Sequence, residues 1–410
     1  MTRFVPNRAR PYDGQPVVPQ LDTIQKHLNH HLQALEHATR IDALPDSRGR
    51  WKDDPTVYTG VGGVAFMYFR LYLHMKLIGN ASGAQLMLDK CQQRLESCQR
   101  QLPRQEDMVS FFCSSGGIYA LSAAVAHARG AHDHAAAFIT GLYDLQTLCW
   151  SRQTIDEILF GRAGYLYCLF FVRQYAGAQV PTSLLQQVMR IMLQTGSTGR
   201  CRDWPAMWYC FEEPYLGAAH GMAGILYMLL QEFHLLCPEE QTLARDLVYR
   251  TLGLANLEGN YPPVLGEEAR LVHWCHGAPG FVSFLLKAAE VFGDAKFKQA
   301  AAKACDVIWQ QGLLQKGLGL CHGICGNAYA FLSMYRATRD PRYLHYAWEF
   351  CQATWDPQVL QHISTAPDRQ RKVQGVPDAP YSLMEGAAGV ICFYADMLRP
   401  EASVFPAYEL

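Results

Sequence analysis

The chain has 410 residues, half of them hydrophobic and 18% charged, so a large buried core is within its means. Its formal net charge is -1 with a near-neutral isoelectric point, which excludes the basic surface that nucleic acid or anionic lipid would demand. Met1 to Asn7 lacks the apolar stretch of a signal peptide, and Thr2 stands where N-myristoylation needs glycine. The most apolar runs, such as residues 164 to 172, are interrupted well short of the roughly 18 residues a spanning helix requires. A soluble, cytoplasmic protein without a transmembrane segment is expected. Its 14 cysteines then read as reduced thiols, metal ligands among them.

In chain order, residues 1 to 20 form a segment rich in Pro, Arg and Gly that is expected to lie on the surface. A Gly-x-x-Gly element then recurs. It occurs as Gly60 to Gly63, as the degenerate Ser114-Ser115-Gly116-Gly117, and as Gly161 to Gly164 and Gly221 to Gly224. The last three copies are Gly277 to Gly280, Gly323 to Gly326 and Gly386 to Gly389. Their final glycines are 54, 47, 60, 56, 46 and 63 residues apart, a period long enough for two helices with their loops.

After each motif comes an apolar stretch of small and aromatic residues, the pattern of a helix buried on all sides. Before it comes a more polar helix with one apolar stripe. Ala84, Met87, Leu88, Cys91, Leu95, Cys98 and Leu102 follow the three-four spacing, as do Phe297, Ala301, Ala304 and Ile308 behind Asp294 as N-cap. Seven buried helices alternating with seven amphipathic ones predict an all-α fold, an α/α toroid of two concentric rings, over residues 1 to 410 as a single domain. The motif is the expected turn into each inner helix, where glycine permits positive φ and close backbone approach. Amides at those helix starts would make that end slightly electropositive. Residues 357 to 380 read as an irregular stretch, either a lid or loop near the site or a solvated linker.

The turns carry unequal chemistry. Cys-His-Gly appears twice, at 275 to 277 and 46 residues later at 321 to 323. Two thiolates and an imidazole with a fourth position open is the ligand set of a catalytic zinc, and Cys275, Cys321 and His322 are the expected ligands. A single Cys-His pair would read as packing; its duplication at equivalent points of the repeat argues for metal. His220 is placed to act as a general acid or base, the alternative being a buried imidazole bonded to a carbonyl. The third repeat presents Glu157 and Arg162, the seventh Glu385.

The motifs His273-Trp274-Cys275-His276-Gly277-Ala278-Pro279-Gly280 and Gly319-Leu320-Cys321-His322-Gly323, with Gly217-Ala218-Ala219-His220-Gly221 and the closing Phe405 to Leu410, resemble the eukaryotic lanthionine synthetase C-like proteins. The resemblance runs from Arg3, Pro6 and Asn7 to the C-terminus, and its departures lean to the third paralogue subgroup. It implies an α/α toroid with one zinc ion on Cys275, Cys321 and His322. It also implies glutathione as co-substrate, added to dehydroamino acids in peptides or proteins to form a thioether. By the same resemblance His220 is the acid-base residue, Glu157 stands where bacterial members carry Asp, and Arg3 and Lys316 match basic positions that contact glutathione. Gly375 stands where the family has a further arginine, and Arg369, Arg371 and Lys372 are the nearby cations that could substitute.

Other readings remain open on the sequence alone. A prenyltransferase toroid also carries zinc, but would need a cationic pocket for diphosphate. A glycosidase would use Glu157 and Glu385 as paired carboxylates, leaving the duplicated Cys-His-Gly unexplained. A zinc-stabilised binding or regulatory protein with little or no catalysis is the reading from outside the enzymes.

Overall fold

A computed structural model describes residues 3 to 39, 54 to 365 and 379 to 410. Among these the secondary structure is helical, with only isolated β-bridges at Phe4–Leu314, Cys210–Glu213 and Tyr215–Val264. In chain order the helices are α1 (Leu21–Ala38), α2 (Val61–Leu77), α3 (Ala81–Gln99), α4 (Ser115–Ala128), α5 (His132–Asp144), α6 (Gln146–Cys149), α7 (Arg162–Tyr175) and α8 (Thr182–Gly196). There follow α9 (Met222–Gln231), α10 (Pro238–Thr251), α11 (Ala278–Phe292), α12 (Ala295–Gln311), α13 (Ile324–Thr338), α14 (Pro341–Ala353), α15 (Pro357–Thr365) and α16 (Ala387–Met397). None is long and apolar enough to cross a membrane. The chain divides into two compact units, one of residues 1–102 with 308–409, the other of residues 103–307 with Leu410.

Each Gly-x-x-Gly copy begins a helix. Its first residue is the N-cap of α2, α4, α7, α9, α11, α13 or α16, and these seven helices bury almost every residue of their first two to three turns. Only Gly277, with φ 119°, uses the left-handed freedom expected of the motif. The other six caps are extended, so another constraint selects small residues there.

That constraint is a closed loop. Arg162 N donates to Ile155 O, Met222 N to Tyr215 O, Ile324 N to Gly317 O and Ala387 N to Pro380 O, each spanning seven residues. The preceding loop therefore curls back to satisfy amides that a helix start leaves without intrahelical partners. Its carbonyls then press on the second glycine of the motif. A Cβ on Gly326 would stand 1.7 Å from Leu320 O, and one on Gly224 2.1 Å from Ala218 O. Since loop carbonyls already occupy these amides, little of the expected electropositive character is left at the helix starts.

The amphipathic helices follow their stripes. Ala84, Met87, Leu88, Cys91, Leu95 and Cys98 are all buried on α3. On α12, Phe297, Ala301, Ala304 and Ile308 are fully buried, and Asp294 Oδ1 accepts from Lys296 N at 2.9 Å. Arg94 is buried on the stripe of α3 as well, donating to Thr39 O and Oγ1.

The N-terminal segment pairs with the loop ahead of α13. Val5 N donates to Leu313 O at 2.7 Å, Gln315 N to Arg3 O at 3.1 Å, and Asn7 Nδ2 to Trp309 O at 2.8 Å. The stretch read as irregular from 357 opens instead as helix α15, whose first amides donate to Asp356 Oδ1. Asp368, Arg369, Arg371, Lys372 and Gly375 lie outside the described residues.

Arg162 does not face a site. It is fully buried and paired with Asp156 at 2.7 Å, and it donates to the carbonyls of Cys149, Ser151 and Thr154. Asp156 in turn accepts from Thr195 Oγ1 at 2.6 Å. Substituting Arg162→Met leaves a buried carboxylate and three carbonyls without their cation, and should lower unfolding free energy in urea by about 3–5 kcal/mol. Gly326→Ala should cost about 3 kcal/mol or more because backbone must move. Gly253→Ala, where nothing lies within 4 Å of the added carbon, should stay within about 0.5 kcal/mol in the same titration.

Candidate active site

Glu157, His220, Cys321 and His322 sit on closed loops, and Cys275 on the loop into α11. That last loop is held from within by Asn260. The Asn260 amide nitrogen donates to Ala269 O and Leu271 O, and its oxygen accepts from Ala278 N. Gly217 packs on the same loop so closely that a Cβ there would lie 2.0 Å from Cys275 O. Cys321 and His322 lie on the loop into α13. Cys321 N donates to Met384 O at 2.8 Å, and Asn327 Nδ2 ties the start of the loop through Gly312 O.

Cys275 and Cys321 are buried and His322 half-buried. A ligand atom on each of the three lies within 4.8 Å of the others, a distance that one ion can span. Burial of the His322 ring opposes its protonation, but the neighbouring Cys321 thiolate more than offsets this and raises its pKa. Lys316 lowers it and Glu385 raises it, so both charges are felt at this loop. Burial elsewhere has the opposite consequence for thiols: it pushes those of Cys98 and Cys149 up to about 12, which keeps them protonated and inert.

Beside Cys321 and His322, a pocket of about 240 Å³ is lined by Lys316, Glu385, His31, Leu360, Ser364 and the glycine-rich backbone from 317 to 319. Lys316 is half-buried there, and Arg3, exposed, lies on the N-terminal segment bonded to Gln315. Burial depresses the pKa of His31 to about 4, so its ring is neutral at physiological pH.

His220 lies on the loop into α9. Its Nδ1 is 3.0 Å from Glu157 Oε2, and Glu157, 2% exposed, also accepts from the amides of Leu159 and Phe160. With the carboxylate fixed by three donors, Nδ1 is the protonated nitrogen that Glu157 receives, and Nε2 is left to exchange a proton with a bound molecule. The reading of His220 as a ring tied merely to a carbonyl therefore fails.

Several neighbours of His220 carry no signal in the sequence. Cys210 Sγ lies 3.9 Å from Nδ1, its thiol pushed up to about 12 by burial and by Glu157. Phe160, Phe211 and Tyr215 place their ring centroids 5.9, 5.8 and 5.7 Å from the imidazole, and His276 lies at 6.2 Å. His276, next to Cys275, lies on the side of His220 and Tyr215. Only the hairpin at 210 to 213, invisible as a pattern, brings Cys210 and Phe211 to a histidine about ten residues further on.

The family model for lanthionine synthetase C-like proteins matches residues 52–410. A zebrafish (Danio rerio) protein named glutathione S-transferase LANCL1 is 35% identical over 424 aligned positions, covering 100% of this chain and 99% of the relative. The Arabidopsis thaliana LanC-like protein GCL1 is 32% identical, covering 90% of this chain and 84% of its own. Among solved structures, nisin cyclase superposes with a TM-score of 0.66 at 16% identity, over 94% of this chain and 95% of that one. The fold is accordingly the α/α toroid that the alternation of helices implied. With the family model covering most of its length and relatives above 30% identity across nearly all of it, the chain belongs to the lanthionine synthetase C-like family.

Proposed function

We propose that this protein adds a thiol, glutathione by preference, to the β-carbon of a dehydroamino acid in a peptide or protein, forming a thioether. The observation that carries the reading is the approach of Cys275, Cys321 and His322 within 4.8 Å. Two thiols and an imidazole make a donor set that suits zinc and leaves one coordination position for an incoming ligand. When bound, such an ion lowers the pKa of a coordinated thiol so that the thiolate is available at neutral pH. The names of the relatives support the same chemistry, one being a glutathione S-transferase and another a nisin cyclase.

The chain's own residues supply the rest. Lys316, in its pocket beside His322, offers a cation for a glutathione carboxylate, and Arg3 on the adjoining segment offers a second. As the carbon–sulfur bond forms, the π electrons of the alkene move towards the α-carbon, which must then gain a proton. His220 is the donor, passing through Nε2 the proton that the thiol gives up on becoming a thiolate. Glu157 holds the ring by Nδ1 and balances the charge of the imidazolium, while Phe160 and Tyr215 limit water around it. Glu157 is thereby an orienting carboxylate, which argues against a glycosidase pair.

Metal analysis and mass spectrometry of adducts test this together. Wild type should carry about one zinc per chain and convert a dehydrobutyrine peptide to its glutathione thioether. Cys321→Ala should lose both zinc and adduct. His220→Ala should retain zinc while adduct formation falls about 10²–10⁴-fold. Lys316→Ala should raise the glutathione KM about tenfold with little change in kcat. Zinc held without any adduct in wild type would favour a metal-stabilised binding protein instead.

A further inference from the structure

Beyond the acid-base pair, we infer that Phe211 reads the residue next to the reacting alkene and favours acceptors whose neighbouring side chains are aromatic. The inference rests on the thiol-addition reading. Phe211 stands at the tip of the hairpin closed by Cys210 N to Glu213 O and Glu213 N to Cys210 O, both 3.0 Å. Its φ is 50° and that of Glu212 is 67°, a left-handed pair that neither residue type favours. Asparagine or glycine would suit such a turn better. The side chain kept there is a phenyl ring 70% exposed to solvent. Both the backbone conformation and the exposure cost stability, and an outlier of this kind at a site points to a use in binding.

What the ring adjoins defines that use. Phe211 meets His220 edge-on at 5.8 Å and Phe160 at 6.2 Å, while Phe160 lies parallel to the same imidazole. Tyr215 completes the wall at 5.7 Å. A residue adjacent to the carbon that His220 protonates lies about 3.8 Å away along the substrate chain. Its side chain therefore falls against these rings, within the 4.5–7 Å range of aromatic pairs. Of the acidic groups on the hairpin, Glu212 is paired with Arg200 at 2.8 Å and Glu213 is exposed, so repulsion of an acidic neighbour falls to Glu213.

Fluorescein-labelled peptides of one sequence, carrying Phe, Ala or Asp on both sides of a dehydrobutyrine, test this by fluorescence anisotropy without glutathione. The Phe peptide should bind wild type about tenfold more tightly than the Ala peptide, and the Asp peptide more weakly than either. Phe211→Asn keeps a residue suited to the left-handed turn while removing the ring, and should reduce the Phe-to-Ala ratio below about twofold. Phe211→Tyr should preserve it. A wild-type ratio below twofold, or an unchanged ratio in the Asn variant, would overturn the inference. Absence of a glutathione adduct with every peptide would sink the thiol-addition reading separately, and the binding ratio would still judge Phe211 by itself.

Discussion

The hydrogen bond from a helix's opening amide back to a carbonyl seven residues earlier is the constraint on which this protein depends. It recurs at Arg162, Met222, Ile324 and Ala387, and at each it turns a flexible connection into a compact ring. A small residue must follow, because the carbonyl that comes next sits where a Cβ would be. The glycines of the repeat are therefore fixed mainly by backbone proximity, and Gly277 alone among the seven caps is fixed by its φ as well. The benefit is positional accuracy: side chains on such a loop inherit the rigidity of the helix it precedes.

This accounts for what could be read from the letters alone. Closely packed glycines leave a visible trace, so the seven buried helices and their amphipathic partners were legible, and Cys275, Cys321 and His322, whose ligand atoms come within 4.8 Å of one another, stand close to those glycines. Glu157 and His220 were legible only as neighbours of motifs; their 3.0 Å bond joins two loops 63 residues apart, and no local pattern encodes it. Asn260 is a stronger case. It positions the Cys275 loop through carbonyls 9 and 11 residues on, and carbonyls leave no mark on residue identity. Arg162 was misread for the complementary reason, since a charge beside a site motif looks functional until its burial and its four acceptors are seen. Helix α15 did have a signal, Asp356 followed by Pro357, which is the standard opening of a helix, but the prolines and charges further on outweighed it.

The chemistry is apportioned among side chains with distinct tasks. Burial keeps thiols such as Cys98 and Cys149 protonated, which sets them apart from the two on the site loops. Glu157 accepts from the Leu159 and Phe160 amides and lies 3.0 Å from His220 Nδ1, which makes it a fixture of the imidazole. The aromatic rings around His220 belong to connections of different length and register, so the wall they form can change by substitution at 160, 211 or 215 without touching the helices.

One consequence follows from the occupied amides at the helix starts. In many proteins such amides form a ready cradle for phosphate or carboxylate; here the loop's own carbonyls fill it. On the proposed reading, recognition of an anionic molecule would fall to individual cations such as Lys316, which lines a pocket and could be lost or gained without disturbing the scaffold. Members of a family built this way can diverge in which acids they admit, one residue at a time, while sharing an unaltered frame.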